Sequence, residues 1–289
     1  MKNLKLITVV CFACSFAIMV SCRKAALEES IQSAQDNVSV ETEFGNVYDA
    51  ASGYAQEDGL TGKTDATVLP SGAVVTFQDS AFVSQDGTPL TFTIDYGVLG
   101  SSAPKGLLCK DGRYRAGKIN VSLKEKFGTA DNQIVITIAS TNDYYVGNGT
   151  DMRKVTGTKT ITRQGSAKTW NMVVANATLE TQNGTVQWNA NRTLTQTVDV
   201  AGAFGDEYTI SGSAQGVNAK GEAFSVQTTQ QLVKKVQIGC LSTFVSGILE
   251  LTNSKGDKFT INYDPYNNAA CDKAVEVAFN NKKRIVNIW

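Results

Sequence analysis

Hydrophobic and polar residues alternate with a period of two through much of the chain after about residue 72. Isoleucine stands at every second position in Gln133–Ile138, and threonine does so in Val155–Thr162. Successive side chains of a β-strand point to opposite faces, so this alternation predicts half-buried strands. The 30 threonines of the chain support the same prediction, because β-branched residues suit a pleated surface.

Dipeptides that end in glycine separate the alternating runs and predict tight hairpin turns. They are Asp86-Gly87, Asp111-Gly112, Asn148-Gly149, Asn183-Gly184, Lys220-Gly221 and Lys255-Gly256. The pattern indicates roughly a dozen to fifteen strands in a meandering order. The predicted fold class is mainly β: an antiparallel β-sandwich or barrel-like sheet with internal hairpin repeats, preceded by a short N-terminal helical segment.

The predicted helical segment lies within residues 25–56. Three- and four-residue spacings place one set of apolar residues on a single helix face: Phe44, Val47, Tyr48, Ala51 and Ala55. Ile31, Ala34 and Val38 indicate an earlier turn or two. Residues 57–71 are rich in Gly, Thr and Asp, which is typical of a linker.

Two internal repeats indicate that hairpins are duplicated along the chain. Ile210–Val226 matches Val245–Ile261 at an offset of 35 residues without a gap, and Phe92–Tyr96 matches Phe259–Tyr263 at an offset of 167. The second match extends through Thr76-Phe77 with Thr243-Phe244, Cys109–Asp111 with Cys271-Asp272, and Lys118–Val121 with Arg284–Asn287. We therefore expect two pseudo-equivalent halves packed together.

The first 21 residues have the features of a cleaved secretory signal. Lys2 and Lys5 form a positive start, and Leu6–Val20 is an almost uninterrupted apolar run. That run is shorter than the roughly 20 residues that a membrane-spanning helix needs. The predicted parts of the chain are a signal peptide at 1–21, an anchor, helix and linker at 22–71, and a β domain at 72–289.

Met19-Val20-Ser21-Cys22 resembles the lipobox of bacterial lipoproteins, in which aliphatic and small residues precede a cysteine. The resemblance implies cleavage before Cys22 and acylation of its thiol and new N-terminus, with palmitate among the acyl chains. Once Lys2 and Lys5 are removed with the leader, the chain has 25 basic and 27 acidic side chains. The acyl chains, and not a basic patch, would therefore hold the protein to the membrane. An ordinary signal peptide with a chance cysteine is the alternative.

The similarity extends beyond the lipobox. The chain resembles the β-rich lipoproteins of Bacteroidota-type bacteria. The features that carry this resemblance are the lipobox, the Phe-Thr-Ile-(Asp/Asn)-Tyr segments at 92–96 and 259–263, the Cys-Asp steps and the threonine-rich run at 155–160. The resemblance covers nearly the whole chain after the leader. It implies an outer-membrane location, with the periplasmic face and the cell surface both open, and no catalytic residue, because that group has no assigned activity.

Three cysteines remain once the leader and Cys22 are set aside. A hairpin that turns at Asn253–Gly256 brings Cys240 opposite a position two residues from Cys271. Export to an oxidising compartment favours the formation of disulfides between cysteine thiols. We predict a Cys240–Cys271 disulfide and a buried free thiol at Cys109. A bridge from Cys109 and the absence of any bridge are the alternatives.

Composition excludes several function classes. The chain has no histidine, which removes mechanisms that need an imidazole base or ligand. Its 27 basic and 27 acidic residues provide no basic face for a nucleic acid. No cofactor and no metal are predicted. The residues that could supply oxygen ligands to calcium do not have the spacing of a calcium-binding loop; they are Asp264, Asn267, Asn268 and Asp272.

Carboxylate pairs are the catalytic chemistry that stays open, since two acids suffice to hydrolyse a glycoside. The candidates are Asp95, Asp111, Asp264 and Asp272. Asn262 stands at the position equivalent to Asp95, and an amide cannot transfer a proton. Turn chemistry, in which Asp and Asn bond their own backbone, therefore explains these residues better than catalysis.

Tyr144 and Tyr145 are the candidate ligand contacts, because neighbours in a strand point to opposite faces and one ring should be exposed. The three tryptophans also have rings that stack on sugars, but core or rim packing is their commoner role: Trp170, Trp188 and Trp289.

These observations favour a non-enzymatic, outer-membrane-anchored lipoprotein that acts as a binding or structural scaffold, with a glycan or an envelope protein as its partner. A carboxylate-based glycan hydrolase is the first alternative and needs two acids about 5–10 Å apart in a cleft. A surface-fibre or adhesin subunit is the second and needs a detachable edge strand.

Overall fold

A computed structural model describes most of the chain. The described residues are 31–48, 50–51, 72–79, 89–109, 111–125, 129–200, 205–237, 240 and 243–287. The predicted leader, Cys22, the linker at 57–71 and Trp289 lie outside them. Helix α1 covers residues 31–48 and 50–51, and a single 3₁₀ turn among the described residues covers Ser140–Asn142.

Strands make up more than half of the described residues, as the alternation predicts. They are β1 Val74–Asp79, β2 Leu90–Asp95, β3 Leu107–Leu108, β4 Tyr114–Ala116, β5 Lys118–Leu123, β6 Gln133–Ile138, β7 Tyr145–Gly147, β8 Met152–Arg163, β9 Thr169–Thr181, β10 Gly184–Val198, β11 Glu207–Val217, β12 Ala223–Lys235, β13 Ser246–Asn253, β14 Lys258–Asn262, β15 Ala274–Phe279 and β16 Lys282–Asn287. The predicted mainly β class with one N-terminal helix is confirmed.

The strands form one large antiparallel sheet that is not closed into a barrel. Its order is β1-β2-β5-β6-β8-β9-β10-β11-β12-β13-β14-β15-β16, and the short strands β3, β4 and β7 join it through β8. Apart from the excursion through β3, β4 and β7, each strand pairs with its neighbours in chain order. The connections along the main path are therefore antiparallel hairpins, some with tight turns, as between β9 and β10, and some with longer loops, as between β12 and β13.

Helix α1 lies inside the fold. Its apolar residues share one core with the inward side chains of the strands, and eight of them are buried: Ile31, Ala34, Val38, Val40, Phe44, Val47, Ala50 and Ala51. The Phe44 ring lies 6.3 Å from the ring of Trp188 on β10. The sequence boundary at residue 72 thus marks where strands begin, while the helix packs as part of the same β domain.

Polar residues of α1 are buried as well, and the strands supply their partners. Asn37 accepts a hydrogen bond from Trp188 Nε1 at 2.9 Å, and Glu41 Oε1 lies 2.8 Å from Arg192 Nη2. Lys159 on β8 donates to the backbone oxygen of Phe44 at 2.7 Å. Buried polar groups need such partners, so these contacts fix the helix in one orientation against the sheet.

Gly157 on β8 allows the helix to approach the sheet closely. A Cβ at this position would lie 2.8 Å from Phe44 Cζ and 2.8 Å from the Cα of Ala177, and the backbone φ is +139°. Both the contact and the dihedral exclude an L side chain without a shift of the backbone. The glycine within the threonine-rich strand is therefore a packing requirement of the helix.

The repeat at offset 35 is confirmed as two hairpins, β11–β12 and β13–β14, with the same turn. The side-chain oxygen of Asn218 accepts from Lys220 N at 2.9 Å, and that of Asn253 accepts from Lys255 N at 3.0 Å. Both turns also place a glycine in the left-handed region, with φ of +85° at 221 and +83° at 256. The same Asn side chain thus closes each hairpin.

In the repeat at offset 167, the matching segments Phe92–Tyr96 and Phe259–Tyr263 do fall in equivalent strands, β2 and β14. The predicted match of the strands that follow them is wrong. β2 pairs with β5 (Lys118–Leu123), whereas β14 pairs with β15 (Ala274–Phe279). Arg284–Asn287 falls in β16 at the outer edge, so it is not the counterpart of Lys118–Val121. Both repeats belong to one continuous sheet, and the expected pair of packed halves is replaced by a single sheet that shares one core with α1.

The predicted disulfide joins Cys240 and Cys271, whose Cα atoms lie 4.9 Å apart, and Cys109 is free and buried. The bridge closes a loop of 31 residues. We expect the Cys240→Ser/Cys271→Ser variant to lose about 2–5 kcal/mol of unfolding free energy in urea without reductant. Reductant should lower the wild-type midpoint and leave that of the variant unchanged. An equal response of both proteins would contradict the bridge.

Candidate functional site

The two adjacent tyrosines point to opposite sides of the chain, as alternation predicts. Tyr144 is only 1% exposed, its hydroxyl accepts from Arg115 Nε at 3.1 Å, and its ring lies 6.1 Å from that of Tyr96. Burial raises the pKa of Tyr144 to about 12. The structure therefore corrects the prediction that Tyr144 contacts a ligand. Tyr145 is half-buried, with Lys154 Nζ 5.9 Å from its ring centre, and stays a candidate.

A buried polar network surrounds Tyr144 at the β4 side of the sheet. Arg115 donates to both oxygens of Asp111, at 2.9 and 2.6 Å. Burial by itself raises the pKa of the Asp111 carboxyl, but the adjacent Arg115 guanidinium outweighs burial and holds that pKa below its ordinary value. Burial raises the pKa of the nearby Cys109 thiol, so this cysteine stays protonated and unreactive. The arrangement stabilises the core and offers no accessible reacting group.

The two repeat-equivalent residues Asp95 and Asn262 make the same turn contact. Asp95 Oδ1 accepts from the backbone N–H of Gly97 at 2.8 Å. Asn262 Oδ1 accepts from the backbone N–H of Asp264 at 2.9 Å. A carboxylate and an amide can both accept this bond, which explains why the repeats tolerate either residue.

The remaining candidate acids also bond their own loops. Asp272 Oδ1 accepts from Ala274 N at 3.0 Å. The two oxygens of Asp264 accept from Asn268 N at 2.9 Å and Ala269 N at 3.1 Å. These residues hold loop backbones in place, and the predicted preference for turn chemistry agrees with their contacts.

Replacement of Asp95 and Asp111 by Asn should have very different effects. Asp95 forms an ion pair with Lys118 at 3.1 Å in which both side chains are partly exposed, so Asp95→Asn should change the unfolding free energy by less than about 1 kcal/mol. Asp111→Asn weakens a buried charged contact with Arg115 and should cost about 2–3 kcal/mol. Urea unfolding at neutral pH measures both.

The pH dependence separates the two variants further. The pKa of Asp111 is lowered on folding, so its contribution to stability is fully present above the ordinary value of 3.8 and is lost as the pH falls below it. The difference in stability between wild type and Asp111→Asn should therefore shrink below pH 3.8. A constant difference down to pH 2 would contradict the buried ion pair.

Three buried carboxyl groups on α1 were not among the sequence candidates. Asp36 accepts from Ala219 N at 2.8 Å, and burial raises its pKa. Glu41 pairs with Arg192 on β10, and Glu43 pairs with Arg113. A helical pattern alone places such residues on a solvent-facing side, and only the fold shows that strands cover them. They attach the helix to the sheet.

A groove crosses the outer face of the sheet over β10, β11, β12 and β13. It is a shallow depression of about 420 Å³ that is open to solvent, and none of its eleven lining residues carries a charge. Its polar lining consists of Gln187, Asn189, Gln215, Ser225, Thr252, Asn253 and Ser254. Amide and hydroxyl residues stand at every second position of β10 in the sequence. The site could not be predicted from them, because the sequence does not show which strands lie side by side.

The strand register places the polar side chains of the groove in one row. Asn189 lies opposite Gln215, Gln215 opposite Ser225, and Ser225 opposite Thr252. Residues on the same face of adjacent strands are close enough to act together. The row therefore places amide and hydroxyl groups from four strands on one surface.

Neither a metal centre nor a membrane-spanning helix is found in the described part of the chain. No group of three or more His, Cys, Asp or Glu side chains there could hold a metal ion. No described helix is long and apolar enough to cross a membrane. Comparisons with protein-family models, with curated proteins and with solved structures each give no match to this chain.

Proposed function

We propose that the protein is an outer-membrane lipoprotein that acts as a non-enzymatic binding scaffold in the cell envelope. The apolar leader and the lipobox that ends at Cys22 support the anchor, and the resemblance to β-rich Bacteroidota lipoproteins supports the location. Several acyl chains on one residue hold a protein firmly, because each buried methylene group contributes about 0.8 kcal/mol. The membrane is thus the first proposed partner.

The observation that carries the binding role is the uncharged groove. It offers hydrogen-bond donors and acceptors on rigid strands, and its lining includes no carboxylate, thiol or amine that could take part in acid–base or nucleophilic chemistry. The candidate acids Asp95, Asp264 and Asp272 instead hold loop backbones. This division favours binding over hydrolysis.

The short distance from Cys22 to α1 determines how the scaffold is presented. The first described helical residue, Ile31, is nine positions after Cys22, and a chain of that length spans at most roughly 30 Å. Because the described part of α1 is packed in the core, an anchor at Cys22 would tether the core within that distance. The proposed lipoprotein therefore holds its sheet close to the membrane surface.

Fractionation of cells that express wild type or Cys22→Ser tests the anchor. Wild type should sediment with outer membranes and carry a lipid on its N-terminal cysteine by mass spectrometry, whereas Cys22→Ser should appear in the soluble fraction. A Cys22→Ser protein that still sediments with outer membranes would contradict the proposed anchor. Turnover of a glycan by the purified wild type, abolished in Asp272→Asn at an unchanged melting temperature, would contradict the non-enzymatic role.

A further inference from the structure

We propose that the groove over β10–β13 binds a neutral polysaccharide, an inference that rests on the proposed binding role and specifies its ligand. The absence of charge along the lining is the first reason. Charged residues make up 19% of the chain, but the eleven residues of this groove carry none. A charged ligand would gain no ion pair here, whereas a polyhydroxylated neutral ligand meets groups that match its own.

The second reason is that three of the polar lining side chains make no bond within the described part of the protein. Within the described residues, the side chains of Gln187, Gln215 and Ser225 bond to no other residue. Gln187 and Gln215 each carry one acceptor and a two-hydrogen donor group, so both can bond the hydroxyls of a sugar. Both point outward, because their chain neighbours Trp188 and Ala214 are buried and successive side chains of a strand point to opposite faces.

Other parts of the same outer face differ in this respect. Thr93 donates to Asn120 at 2.9 Å and accepts from Gln78 at 2.9 Å, and Thr156 lies 2.6 Å from Thr178, oxygen to oxygen. There the polar side chains of neighbouring strands satisfy one another. The outer face of the described sheet therefore has paired polar side chains on β2, β5, β8 and β9 and unpaired ones over β10–β12, and the groove lies among the unpaired ones.

The groove also has an apolar strip beside its polar row. Val217 lies directly opposite Ala223, next to the buried ring of Phe224. A sugar ring has C–H faces and hydroxyl edges, and this pairing of apolar and polar positions suits both. Four strands at about 4.8 Å spacing span roughly 14 Å, which is the length of a short oligosaccharide.

The absence of an exposed aromatic ring from the lining limits the affinity. Sugar recognition in this groove depends on hydrogen bonds, each with a modest net contribution. We therefore expect a weak interaction with each oligosaccharide unit and stronger retention by a polymer, whose repeated units rebind at high local concentration.

Native gel electrophoresis of the full-length protein in detergent tests this inference. The gels contain a soluble β-glucan, an α-glucan or a mannan, and polygalacturonate serves as the charged comparison. At least one neutral polymer should retard wild type, and polygalacturonate should not. Gln187→Ala/Gln215→Ala should weaken that retardation about tenfold or more, since each lost hydrogen bond costs roughly 2- to 13-fold.

Gln230→Ala/Gln231→Ala is the matched control, because both glutamines are exposed on β12 outside the groove. This control should be retarded like wild type. Retardation by no neutral polymer, equal retardation of both double variants, or preference for polygalacturonate would overturn the inference. Self-association of wild type that the groove variant abolishes would overturn it in favour of a second copy of the chain. Cell fractionation of the same proteins reports the anchor separately, so loss of retardation alone leaves the proposed anchoring intact.

Discussion

A chain that lacks residues 31–51 is expected to have no cooperative unfolding transition. The deletion removes eight buried apolar side chains from the core and leaves the inner face of an open sheet without a cover. It also leaves Arg113 and Arg192 buried without Glu43 and Glu41, and the loss of one partner from a buried ion pair alone costs about 3–5 kcal/mol. The whole stability of a domain is only about 5–15 kcal/mol.

Urea titration followed by circular dichroism measures this effect. Wild type should give one sigmoidal transition, and the deleted chain should show a gradual change and bind a hydrophobic dye. The Cys22→Ser protein, which keeps α1, is the control and should unfold like wild type. A sigmoidal transition of the deleted chain at the wild-type midpoint would show that the sheet folds without the helix.

Trp188→Ala should cause the largest loss of stability among single substitutions outside the ion pairs, about 3–5 kcal/mol. The indole is 2% exposed, packs against Phe44 and donates to Asn37. Truncation leaves a cavity at the contact between helix and sheet and removes the partner of a fully buried Asn37 side chain. Both the cavity and the lost hydrogen bond lie where α1 contacts β10, so α1 should detach from the sheet before the strands unfold.

Trp170→Ala is the matched control, because the same side chain is only partly buried there and meets Tyr208 edge to face at 6.2 Å. It should cost clearly less than Trp188→Ala in the same urea experiment. Equal losses for the two variants would contradict the assignment of Trp188 to the central contact of the fold.

The sequence was sufficient to predict the strands, the turns and the helix, because these follow from local patterns. Alternation in Gln133–Ile138 and Val155–Thr162 predicted β6 and β8, and the Asn-led turns of the offset-35 repeat recur at Asn218 and Asn253. The Cys240–Cys271 bridge also followed from a local hairpin.

The position of the helix could not be predicted, because its partners are distant in the chain. Glu43 and Arg113 are 70 residues apart, and Asp36 and Ala219 are 183 apart. Acidic residues on a helix normally indicate a solvent-facing side. Only the contacts with residues far along the chain, which no local pattern encodes, show that these acids are covered.

The candidate site was predictable only in part for the same reason. Alternation predicted that Tyr144 and Tyr145 face opposite sides, but not that Tyr144 faces the core. The groove needs the register of four strands to bring Gln187, Gln215 and Thr252 to one surface. Its chemistry was present in the sequence as separate residues, and the fold assembles it.

Native-state hydrogen exchange on the full-length protein tests most directly whether α1 is the centre of the fold. The amides of Val40 and Phe44 in α1 and of Leu194 in β10 belong to the same buried core. We predict that all three exchange only through global unfolding, with the same opening free energy and the same dependence on urea. Exchange of Val40 and Phe44 at a much lower opening free energy, while Leu194 stays protected, would contradict a helix built into the sheet.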